Sequence, residues 1–89
     1  MKHKTLYEAI LKIQTLEEAE QFFNDIATDK ERDDFSDRLR VANLLLKGKT
    51  YETIQKETRI SSATIARVNR AITYGNGGYK TILDRIKKD

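Results

Sequence analysis

The chain has 89 residues, with 17 Lys and Arg against 14 Asp and Glu, a net charge of +3, and neither cysteine nor proline. That length allows one domain, residues 1–89, with a modest core, and the lack of cysteine excludes a disulfide framework or a thiolate metal site. No apolar run nears the roughly 20 residues of a membrane span, and the opening MKHKTLYEAI lacks a signal peptide's apolar stretch, so a cytoplasmic location is expected.

Helices are predicted at about 6–14, 16–27, 29–47, 51–58, 62–74 and 79–87, making an all-α chain. Three T-x-x-E patterns, Thr5–Glu8, Thr15–Glu18 and Thr28–Glu31, each read as a capping box that satisfies two orphan amides at a helix start. In the first helix Leu6, Ile10 and Ile13 form a stripe, with Tyr7 and Leu11 beside it. In the second, Phe22 and Phe23 point about 100° apart. Helices apolar over more than one face need more than one partner, and a second copy of the chain supplies one. A homodimer is therefore expected, held by a core of about residues 6–47.

The third helix carries Phe35, Leu39, Ala42 and Leu46 at helical spacing, widened by Val41, Leu44 and Leu45. Gly48 follows as a natural C-cap. The carboxylates of Asp29, Glu31, Asp33, Asp34 and Asp37 lack the ordered spacing of a calcium loop and read as a solvated face near a helix start, where negative charge is favourable.

Residues 50–74 read as a helix-turn-helix. Thr50 can cap its first helix, and Ser61 or Ser62 its second. Ile54, Ile60, Ile65 and Val68 stand where the motif needs apolar residues to lock the helices together. The outward positions hold Ser62, Ala63, Ala66, Arg67 and Arg70. Small residues let a helix approach base edges, and arginine donates bidentately to guanine or phosphate. Two positions depart from the usual motif. Arg59 stands where glycine is common because positive φ is often needed, and Gln55 stands where a small residue is common at the helix contact.

YGNGG at 74–78 has neither the spacing nor the preceding strand of a phosphate-binding loop. It reads as the end of the second helix and a turn into the last one. Charge is divided along the chain: residues 1–37 carry a net of −5 and residues 38–89 a net of +8. The helix-turn-helix lies in the basic half, as expected of a phosphate-binding surface. His3, the single histidine, reads as a bystander, and no nucleophile–base arrangement points to an enzyme.

From about Thr28 to Val68 the chain resembles the Trp repressor family, most closely its YerC/YecD-type branch. The match rests on TDKER at 28–32, RLRVANLLLKG at 38–48 and ATIAR at 63–67, in the family's order and spacing. The segment YGNGGY looks like the branch. The resemblance implies a six-helix fold forming an intertwined homodimer, its two reading heads in successive major grooves of a palindromic operator. Such heads sit about one turn, roughly 34–36 Å, apart.

The resemblance also implies a tryptophan site between the core helices and the reading helix. Its clamping arginines match Arg38 and Arg67, and its threonines match Thr28 and Thr64. The family's glycine beside the second arginine is matched by Val68, whose side chain takes space the indole needs. Asp25 and Ala27 stand where the family has leucines, and the turn is one residue shorter. Tryptophan dependence is therefore not expected. Val68 is expected to fill the slot and hold the reading head without a ligand. A different small effector using Arg38 and Arg67 is an alternative, which leaves Arg67 with two candidate roles.

The expected function is sequence-specific regulation of transcription, as a repressor, on double-stranded DNA and without a cofactor. Ser61 and Ser62 would meet phosphate, Ala63, Ala66 and Arg67 would face the groove, and Lys49, Lys56 and Arg70 would hold the backbone or groove margin. The alternative is a protein-interaction module on the same fold without specific DNA binding, supported by Arg59 and Gln55.

Overall fold

In the computed structural model the described residues, 1–88, form six helices and no strand. They divide into two compact units, residues 1–33 and 34–88.

The first unit holds α1 (Lys4–Leu11), α2 (Leu16–Ile26) and the first turn of α3 (Asp29–Leu46). Of the three expected capping boxes one forms in full and a second in part. The Thr28 hydroxyl accepts the Glu31 N–H at 3.1 Å, and the Glu31 carboxylate accepts the Thr28 N–H at 2.9 Å. At α2, Thr15 accepts the Glu18 N–H at 3.0 Å, while the Glu18 carboxylate reaches one residue further back, to the Gln14 N–H at 2.9 Å. The third box does not form. Thr5 lies inside α1, whose N-cap, His3, makes no side-chain cap bond. The helix starts earlier than expected because the Tyr7 N–H already bonds the His3 carbonyl at 3.1 Å. It ends earlier because Gln14 belongs to the cap of α2. Lys12 and Ile13 donate to Ala9 and Ile10, three residues back, and so tighten the last turn.

Arg32 braces the elbow between α2 and α3. One guanidinium nitrogen donates to the carbonyls of Ala27 at 2.6 Å and Phe23 at 3.1 Å, and the other pairs with Asp29. A cation thereby satisfies carbonyls that the end of α2 leaves without helical partners. No residue of this unit is buried among the described residues. Leu11 is 81% and Leu16 89% exposed, and Phe22 and Phe23 meet edge to face.

The second unit carries a core of Val41 and Ala42 from α3, Ile54 from α4 (Tyr51–Thr58), Ile60 from the turn, Ile65 and Val68 from α5 (Ser62–Tyr74), and Leu83 from α6 (Gly78–Lys88). Leu44, Leu45, Leu46, Ile72 and Tyr79 pack around it. The stripe read along α3 divides: Ala42 is buried, whereas Phe35 is 44% and Leu39 42% exposed. Burial belongs to the neighbouring line through Val41. The α3 helix stops at Gly48, whose φ is 86°. The Gly48 N–H reaches the Leu45 carbonyl at 2.9 Å and the Lys49 N–H reaches Leu44 at 3.1 Å, the paired bonds of a Schellman ending. At the end of α5, a Cβ on Gly75 would fall 2.3 Å from the Ala71 carbonyl oxygen, so only glycine fits there. No helix among the described residues is long and apolar enough to cross a membrane.

Candidate nucleic-acid interface

The interface is built on α4, the turn and α5. The Thr50 hydroxyl accepts the Thr53 N–H at 3.1 Å and donates to the Thr53 hydroxyl at 2.9 Å, which fixes the start of α4. Ile54 then points inward, without any exposure. At the other end the Thr58 hydroxyl donates to the Ile54 carbonyl at 2.7 Å and accepts the Ile60 N–H at 3.1 Å. Between them Arg59 takes the left-handed conformation, φ 61° and ψ 16°. The turn thus keeps the backbone that favours glycine and makes it with arginine, at about 1–2 kcal/mol of strain. Thr58, which sequence reading missed, is the side chain that braces it.

Ser61, and not Ser62, caps α5. Its hydroxyl accepts the Thr64 N–H at 3.2 Å and donates to the Thr64 hydroxyl at 3.1 Å. Both serines are exposed, but Ser61 is engaged in the cap and Ser62 lies outside it. The first amides of a helix lack intrahelical partners and can meet an anion. Ile65 and Val68 anchor the inner face of α5. Gln55 is exposed, so it does not separate the two helices. They pack through Ile54, Ile60 and Ile65.

The outer face of α5 forms a shallow cleft lined by Ala63, Ala66, Arg67 and Arg70. Two methyl side chains leave room, and two guanidinium groups border it. Among the described residues neither arginine has an ion-pair partner. Lys49, Lys56, Ser61 and Ser62 lie outside this cleft, and all four are exposed.

Each residue of the expected effector pocket has contacts within its own unit. Thr28 lies in the first unit, where its hydroxyl caps α3. In the second unit Arg38 stands over the Phe35 ring at 5.8 Å, Thr64 takes the Ser61 hydroxyl, and Arg67 lines the α5 cleft. Val68 is in the core, 1% exposed.

The profile described as Trp repressor protein matches residues 2–87. The chain belongs to the Trp repressor family. Its relatives place it in the YerC/YecD-type branch: it is 45% identical to the uncharacterized protein YerC of Bacillus subtilis (strain 168), over 93% of this chain and 80% of that one. Two crystal structures share the fold. One is a TrpR-like protein from Eubacterium eligens ATCC 27750, with a TM-score of 0.88 and 42% identity over 94% of this chain and 87% of that one. The other, proposed as a Trp repressor, comes from Staphylococcus aureus, with a TM-score of 0.90 and 43% identity over 97% and 86%. The six helices of this Trp repressor-like chain, with their helix-turn-helix, thus have close counterparts among solved structures.

Proposed function

We propose that this chain is a sequence-specific transcriptional regulator that reads a palindromic DNA operator as a homodimer and acts as a repressor. The observation that carries this is the α5 cleft, where Ala63 and Ala66 leave room between two arginines that have no ion-pair partner among the described residues. In a major groove, Arg67 donates to a guanine edge or to phosphate. Ser62 and the first amides of α5 meet phosphate, as do Arg70, Lys49 and Lys56. The homodimer is supported by a first unit without buried residues and by the exposed Phe35 and Leu39. Reading without tryptophan is supported by Val68, which is buried in the core and stands where the family's glycine leaves space for the indole.

Selection from a random duplex library at about 0.15 M salt, with and without L-tryptophan, tests the proposal, since specificity has meaning only at stated salt. The same palindrome is expected in both arms. Enrichment only with tryptophan would overturn the role given to Val68. No enrichment in either arm would favour the protein-interaction module. On the selected duplex, Arg67→Ala and Arg70→Ala are each expected to weaken binding by at least about tenfold, the scale of one good base or phosphate contact, with the dimer still folded. Unchanged binding in both variants would sink the assignment.

A further inference from the structure

Arg59 is the one described residue other than glycine with positive φ. Its turn is braced from three directions. The Arg59 N–H donates to the Gln55 carbonyl at 2.8 Å, Thr58 bridges Ile54 and Ile60, and Ile60 is buried in the core. Glycine would take this conformation freely, so arginine stands here against the backbone preference. Strain of this kind clusters at functional sites. The Arg59 side chain is exposed and, among the described residues, its guanidinium has no ion-pair partner. It stands two residues before Ser61, the N-cap of the reading helix. The same module carries exposed Lys56, Arg67 and Arg70.

We propose that Arg59 is a backbone contact of the DNA complex, gripping a phosphate at the margin of the groove that α5 enters. The inference rests on the DNA-reading function above. A planar guanidinium matches phosphate oxygens bidentately, and a braced turn presents it from a fixed point. A phosphate contact carries no base information. Arg59 therefore adds affinity and fixes register, while α5 chooses the sequence.

The test compares full-length wild type, Arg59→Gly and Arg59→Lys by thermal melting and by binding to the selected duplex and a mismatched one across a salt series. Arg59→Gly is expected to melt higher, because the turn relaxes. It is also expected to bind about tenfold more weakly, equally on both duplexes, with a salt slope shallower by about 0.9 per protomer. Arg59→Lys is expected to recover most of the slope. Unchanged affinity and slope in Arg59→Gly would overturn the proposal. So would loss of discrimination between the duplexes, which would mean that Arg59 aims α5 or reads bases. Wild type that binds no duplex would remove the DNA reading itself, and this contact with it.

Discussion

The two units of the chain are built on opposite terms. Residues 34–88 contain every buried side chain described, drawn from four helices and one turn. Residues 1–33 contain none, although Leu6, Tyr7, Ile10, Leu11, Leu16 and Ile26 are all apolar and exposed. The difference teaches that one region of the chain builds a core from its own helices and the other does not, although both leave apolar side chains exposed. Local order in the first unit comes from capping hydroxyls, an edge-to-face phenylalanine pair and the Arg32 brace. Such contacts set where helices start and how an elbow bends. Apart from the phenylalanine pair, they remove little apolar surface from water, which is the dominant favourable term in folding.

Breaking the core is the strongest way to probe that contrast. Ile54→Ala removes the centre of the second unit and is expected to destabilise it by about 2–5 kcal/mol, read as a lower Tm and loss of amide protection in α4 and α5. Ile10→Asp addresses the first unit. In the proposed homodimer two copies change, and if Ile10 lies in its interface each loses burial worth about 1.5 kcal/mol or more, so the dissociation constant is expected to rise about 100-fold. Sedimentation would show this, while amide protection of Ile54 and Ile65 should survive in the protomer. If Ile10→Asp melts α4 and α5 as fully as Ile54→Ala does, the units are not separable in this way. Thr15→Ala sharpens the picture at the smallest scale. It should lower stability by about 1 kcal/mol, with the protection change confined to α2.

The helices were most legible where their ends are local. Tyr51–Thr58 and Ser62–Tyr74 match the predicted bounds because Thr50, Ser61, Arg59 and Gly75 each set an end within one turn. At α1 the same logic failed. Thr5 has the right spacing to Glu8, but nothing in that spacing reveals that the helix begins before it or that the next cap claims Gln14. The α3 stripe identified apolar residues correctly, yet periodicity does not say which of them a single chain covers. Phe35 and Leu39 stay open while Val41 is buried. The need for positive φ at Arg59 was visible from the motif. The means of holding it was not, because Thr58 acts through two backbone bonds that only the folded turn creates. Of the expected DNA-facing set, the structure gathers Ala63, Ala66, Arg67 and Arg70 into one cleft. Their common face follows from helical spacing alone.

The division of α5 into two faces has a consequence for how such a protein changes over time. Its grip on the core depends on Ile65 and Val68, while Ala63, Ala66, Arg67 and Arg70 face outward. Substitutions at exposed positions usually alter stability by less than about 0.5 kcal/mol. A lineage can therefore rewrite the target of the reading helix without endangering the fold that carries it, and a laboratory library confined to those four positions has the same freedom.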